Sequence, residues 1–170
     1  MREGPISTDD EIQNALNKYS LMVYRLAYAQ AGNRHDADDI YQEVFLRLIK
    51  ANQTFESEEH RKAWLIRVTV NCCNSLWHSA WRRNTVPLKE QADCAAPVWA
   101  EEEDSGIEDA LRTISQKSRT IIHLFYYERM PVEQISRALK IPASTVRVQL
   151  SRARKKLKMA LMYKEAQANV

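Results

Sequence analysis

Eight of the 25 residues from 85 to 109 are acidic and only one is basic. That run includes "AEEEDSG" and the prolines at 87 and 97, and it holds too little apolar surface for a place in a packed core. It splits the 170-residue chain into two foldable stretches, 1–84 and 107–170, joined by an acidic linker over 85–106. Each stretch has the length of one small domain. Their charges differ. Residues 1–84 carry 11 basic and 11 acidic side chains, whereas residues 110–170 carry 13 basic and three acidic. A segment so basic fits a polyanionic partner, and nucleic acid is the usual one.

Both stretches read as helical. Three Gly and five Pro leave few breakers, and 45% hydrophobic residues against 28% charged suit a globular chain. No strand alternation longer than a few residues occurs, and no internal repeat. No apolar run approaches the roughly 18–20 residues that span a bilayer. The start "MREGPISTDDEIQ" has no apolar core of the kind a signal peptide needs, which points to the cytoplasm and to no membrane insertion.

Thr8 with Glu11 gives a capping-box pattern. Ile12, Leu16, Tyr19, Val23, Leu26 and Ala27 then follow at helical spacing. Gly32 and Asn33 end that helix, and Asp36 is placed to cap the next. The second helix carries an apolar stripe of Ala37, Ile40, Tyr41, Val44, Phe45, Leu48 and Ile49. Its other face holds Asp38, Asp39, Gln42, Glu43, Arg47 and Lys50. A third helix is expected over about 58–82. It interleaves Arg61, Lys62, Arg67, Arg82 and Arg83 with Trp64, Trp77 and Trp81, and no acid occurs between Glu59 and Glu90. Cations that follow phosphates and flat rings that stack bases suit single-stranded nucleic acid. Trp64 is expected in the core; Trp77 and Trp81 are as consistent with a core role as with an exposed one.

In the second stretch, helical patterns run over about 107–115 and 117–129. Pro131 then opens "PVEQISRALK" at a first-turn position. "VEQISRALKIPASTVRVQLSRARKKL" has the layout of a helix-turn-helix. Ile135, Leu139, Ile141, Val146 and Leu150 form its small core, and Ser144 or Thr145 caps the second helix at the end that enters a major groove. Arg147, Val148, Ser151 and Arg152 then face base edges and phosphates, and Arg154, Lys155 and Lys156 continue towards phosphates. A solvated helix would alternate charge sign; this one does not.

Cys72, Cys73 and Cys94 make no disulfide framework, and no Cys/His array has zinc spacing, so no metal and no cofactor are expected. His35, His60, His78 and His123 are scattered. No phosphate loop or nucleophile elbow is present, which argues against an enzyme.

The chain resembles the extracytoplasmic-function sigma factors, promoter-specificity subunits of bacterial RNA polymerase. "DADDIYQEVFLRLIK" with "RKAWLIRVTVNCCNSLWHSAWRR" resembles the family's region two. "LRTISQKSRTIIHLFYYERMPVEQISRALKIPASTVRVQLSRARKKL" resembles region four. The resemblance implies an all-α protein of two small domains and a non-enzymatic role. It implies that Asp36, Asp39, Gln42, Glu43 and Arg47 dock on the β′ clamp coiled coil of core RNA polymerase. It implies that Arg61, Lys62, Arg67, Asn71, Trp77, Arg82 and Arg83 melt and read the minus-ten element, beside a loop near Glu56–His60 that captures a flipped base. Ser144, Thr145, Arg147, Val148, Ser151, Arg152, Arg154 and Lys155 would read the minus-thirty-five element, and region four would also meet the β flap. An anti-sigma factor is an expected partner. Where Lys140 stands the family often has Gly, which relieves strain if the turn needs a positive φ. The alternative is a stand-alone helix-turn-helix regulator, which leaves the polar face of the second helix and the Trp-rich basic helix without a role.

Overall fold

The computed structural model describes residues 8–83 and 106–170. Every element among them is helical, as the sequence leads one to expect, and the chain divides into two compact units, Met1–Gln91 and Ala92–Val170. The expected linker over 85–106, Gly106 apart, lies outside the described residues, as does Cys94.

The first unit packs three helices: α1 (Thr8–Ala31), α2 (Arg34–Ala51) and α3 (Glu58–Arg83). Val23, Leu26, Ala27, Ile40, Val44, Leu65 and Ile66 are almost wholly buried between them, with Tyr19, Cys72 and Cys73 close behind. Burial of this kind contributes roughly 1.5–3 kcal/mol per large aliphatic side chain, which is what holds three separately marginal helices together. The inward periodicity on α1 and α2 is as the sequence indicates, with one exception. Ile49 is half exposed, at the edge of the stripe.

Two caps differ from expectation. Thr8 is already the first residue of α1, so any cap precedes it, outside the described residues. The cap of α2 is Asn33 and not Asp36. Asn33 is extended, and its side chain accepts from the Asp36 backbone N–H at 2.9 Å. The Asp36 carboxylate in turn accepts from Asn33 Nδ2 at 2.8 Å. Asp36 therefore takes the third-residue role of a capping box, which lets α2 begin at Arg34. Gly32 makes the turn possible with φ of 74°, and Asn52 closes α2 in the same left-handed region at 41°.

The second unit holds α4 (Ile107–Arg112), α5 (Gln116–Ile122) running into a π-helical turn at His123–Tyr127, α6 (Val132–Leu139) and α7 (Ala143–Ala168). The expected continuous helix over 117–129 thus widens midway. The Glu128 N–H reaches the His123 carbonyl, and His123 stacks on Tyr127 with ring centroids 5.1 Å apart. Ile121, Leu124, Ile135, Ala138, Val146, Leu150 and Ala153 form the core. Lys164 of α7 pairs with Asp109 of α4 at 3.1 Å, tying these two helices together.

Pro131 and Pro142 sit at the N-cap positions of α6 and α7. The expected cap at Ser144 or Thr145 is replaced by Pro142, at φ −57° and ψ 142°, whose carbonyl accepts the Val146 N–H. Ser144 and Thr145 instead lie inside the first turn of α7. Between the helices, Lys140 adopts φ 54°, ψ 45°. The Ile141 N–H returns to the Ser136 carbonyl, and Ser136 Oγ donates to the Ile141 carbonyl at 2.6 Å. This is a Schellman-type stop with Lys where Gly is the usual residue.

Candidate nucleic-acid interface

α7 is the most basic element of the chain. Burying Val146, Leu150 and Ala153 leaves Ser144, Arg147, Val148, Ser151, Arg152, Arg154 and Lys155 exposed, with Thr145 half-buried. No acidic residue occurs in α7 before Glu165. Its N-terminal half thus contributes cations and no acid to its exposed face, preceded by the short helix α6 in helix-turn-helix order.

Two of these cations already have partners. Arg147 Nη2 lies 2.8 Å from Glu133 Oε1 on α6. Arg154 Nε donates to the Tyr126 hydroxyl at 2.6 Å, and its guanidinium lies 5.3 and 5.5 Å from the Phe125 and Tyr126 ring centroids. Arg154 is turned onto the aromatic π-helical turn, so it sits apart from the Arg147–Arg152 face that the sequence groups it with. It also lines an apolar groove of about 510 Å³ with Leu111, Ile122, Tyr126, Leu161 and Met162. On α5, burial pulls the Arg119 guanidinium below its ordinary pKa, helped by the nearby Arg112.

In the first unit, α3 presents Arg67, Asn71, Asn74, Ser75 and His78 at helical spacing, and all but the half-buried Arg67 are exposed. Asn74 and His78 are absent from the expected set. Their spacing from Arg67 and Asn71 was the available signal. Lys62 is half-buried. Arg61 is turned inward: its side chain is only 11% exposed and its Nη1 lies 3.2 Å from Glu58 Oε1. It also lies over Phe55, whose ring meets Trp64 edge-on at 5.6 Å. Trp77, Arg82 and Arg83 belong to α3 by backbone, but their side chains fall outside the described residues.

The polar face of α2 is as expected, with Asp39, Gln42, Glu43 and Arg47 exposed and Asp36 half-buried against Asn33. Glu43 accepts from Arg47 Nε at 2.7 Å, and that bond holds the Arg47 pKa above its ordinary value. Leu46 stands among these groups, 46% exposed. Reading apolar residues as inward hides it in sequence.

Among the described residues no helix is long and apolar enough to cross a membrane.

Comparisons with known proteins agree with this division. Residues 15–83 match sigma-70 region 2, and residues 105–157 match sigma-70 region 4. The chain is 28% identical over 144 residues to the ECF RNA polymerase sigma factor SigE of Mycolicibacterium smegmatis, covering 80% of this chain and 56% of that relative. It is 26% identical over 167 residues to SigW of Bacillus subtilis, with 89% of each covered. Its fold is shared with the sigma factor RpoE of Bartonella quintana, crystallised with the anti-sigma factor NepR. That match has a TM-score of 0.76 at 20% identity and covers 89% of this chain and 97% of the other. CnrH, solved with the cytosolic domain of CnrY, gives 0.69 at 20% identity, with 91% and 90% covered. A helical unit matching region 2, a following helix-turn-helix unit matching region 4 and sigma-factor relatives along most of the chain lead to one family: the chain belongs to the extracytoplasmic-function sigma factors of RNA polymerase.

Proposed function

We propose that this chain joins core RNA polymerase and directs initiation at specific promoters. The first unit opens and reads the minus-ten element, and the second reads the minus-thirty-five element as duplex. The observation that carries this reading is the cationic face of α7, to which α7 adds no acid before Glu165, on a helix-turn-helix and in one chain with an α2 whose exposed face is polar around Leu46. A stand-alone regulator has no use for the second of these.

In this reading Asp39, Gln42, Glu43 and Arg47 meet the β′ clamp coiled coil, with Leu46 as apolar centre and Asp36 as their N-terminal support. Arg67 and Asn71 face the exposed non-template strand, with Lys62, Trp77, Arg82 and Arg83 along the same helix. Arg147, Val148, Ser151 and Arg152 read the major groove, and Ser144, Thr145 and Lys155 hold phosphates. Domain limits follow the sequence reading, 1–84 and 107–170 around an acidic linker. The apolar groove beside Tyr126 is the surface for the β flap, and Arg154 serves it as rim.

The protein breaks no bond; polymerase does the chemistry. Its binding energy offsets unstacking, which costs a few kcal/mol per disrupted step. Two modest DNA modules on one polymerase raise each other's effective concentration, so the free chain binds promoters weakly. An anti-sigma factor that covers these faces would hold the chain inactive. NepR, bound to a sigma factor of the same fold, supports that partner class.

The test is assembly with purified core polymerase, followed by permanganate probing of unpaired thymines on promoter DNA. Opening that requires both core and this chain supports the reading. Tight duplex binding by the chain alone, with no core association, supports the regulator instead.

A further inference from the structure

We propose that Glu58 is a positioning residue for minus-ten recognition, a carboxylate that fixes the loop before α3 without itself touching DNA. The inference rests on the first unit reading the minus-ten strand.

Glu58 opens α3, where an acid suits the helix N-terminus. Its carboxylate gathers three donors from two helices. Lys18 Nζ lies at 2.9 Å and the Tyr19 hydroxyl donates at 2.7 Å, both from α1; Arg61 Nη1 approaches at 3.2 Å from one turn along α3. The same hydroxyl lies 3.3 Å from the Glu58 carbonyl. Tyr19 is 6% exposed, so its hydroxyl needs this acceptor. The hydrogen bonds from Lys18 and Tyr19 hold the Glu58 carboxyl below its ordinary pKa, while burial first and Glu58 second drive the Tyr19 phenol upward.

The loop hangs on the same groups. Arg61, held by Glu58, lies 5.5 Å from the centroid of Phe55, and Phe55 meets His60 and Trp64 edge-on, each at 5.6 Å. Ser57 Oγ accepts from the His60 N–H at 3.1 Å, and the Glu56 N–H points to His60 Nδ1 at 3.4 Å. A small cavity of about 80 Å³ is walled by Gln53, Thr54, Phe55 and Arg61. The carboxylate thus sets where Arg61 stands, Arg61 sets Phe55, and Phe55 sets the loop that leads into α3, the helix bearing Arg67 and Asn71. A half-exposed ion pair such as Lys18–Glu58 adds little stability by itself. Three donors on one acceptor instead fix geometry, which recognition of single bases requires.

The test uses the full chain with core polymerase and three variants: Glu58→Ala, Glu58→Gln and Tyr19→Phe. Each is measured for core affinity, thermal unfolding, and the ratio of transcripts from a cognate promoter to those from single-base minus-ten substitutions. Glu58→Ala is expected to cut that ratio at least tenfold, with core affinity within twofold of the parent. Glu58→Gln, which keeps an acceptor for Tyr19, should recover at least half of the loss on a logarithmic scale. If Glu58→Ala does not fold, Tyr19→Phe carries the test, with a three- to tenfold fall expected. An unchanged ratio in the folded variants overturns the proposal, as does a fall matched by equal loss of core affinity. If the parent chain itself gives no promoter-specific transcripts, the sigma-factor reading fails, and this inference with it.

Discussion

Glu133 holds Arg147 across the helix-turn-helix, with Oε1 and Nη2 2.8 Å apart. Both side chains are more than half exposed, so the pair is weak, yet it sets an acid beside a cation that the proposed function aims at DNA. On that proposal, DNA displaces the carboxylate. Glu133→Gln is therefore expected to tighten promoter binding by about two- to tenfold, most at low salt. Competition titration of the polymerase complex with minus-thirty-five duplex checks it; weaker binding would mean that Glu133 orients Arg147 for its target.

Lys140 supplies a second prediction. A non-glycine residue in the left-handed region costs roughly 1 kcal/mol or somewhat more. Lys140 sits there at φ 54°, and it is exposed. Lys140→Gly should raise the stability of the second unit by about 1 kcal/mol, or about 4–8 °C in Tm for a domain of this size. Thermal unfolding followed by circular dichroism measures it. A fall in Tm would assign the lysine side chain a stabilising contact that outweighs the strain.

On α2, Asp39 and Glu43 are exposed and one helical turn apart. Reversing both, Asp39→Arg with Glu43→Arg, should leave the helical content unchanged and weaken core polymerase binding by about 2 kcal/mol or more. Co-purification with core and an affinity titration read the outcome. Full retention of core binding removes this face from the docking surface.

Cys72 and Cys73 are buried in the first unit, and burial raises both thiols, Cys73 to about 12. An unfolded thiol titrates near 8.5, so the folded state keeps its proton where the unfolded chain loses it. The associated stability is whole below pH of about 8.5 and declines as pH climbs towards 12. In a Cys94→Ser background, iodoacetamide at pH 8 should label neither cysteine in the folded protein and both after denaturation. Rapid labelling of native Cys73 would refute its protonated, closed setting.

The sequence announces features that are periodic or local. The α2 stripe, the helix-turn-helix core of Ile135, Val146 and Leu150, and the cationic character of α7 all follow from spacing and charge sign. Direction of a long side chain does not. Arg61 and Arg154 carry the charge of a nucleic-acid contact, yet one is drawn to Glu58 and Phe55 and the other to Tyr126. The Lys18–Glu58 and Tyr19–Glu58 bonds join residues about 40 positions apart, which no helical period relates. Leu46 escapes because an outward apolar residue looks like a surface accident until its polar surroundings are known. The cap shifts to Asn33 and Pro142 are changes of two or three residues at helix ends, where side-chain bonding and proline geometry override simple spacing.

The most direct measurement maps RNA 5′ ends made on genomic DNA by core polymerase with and without this chain. With the chain present, a new, restricted set of start sites is expected, sharing two sequence elements about 35 and 10 bases upstream, the spacing the element names state; Arg152→Ala should relax the upstream one by about 1–3 kcal/mol. Start sites identical with and without the chain, or new ones lacking either shared element, would contradict the proposed function.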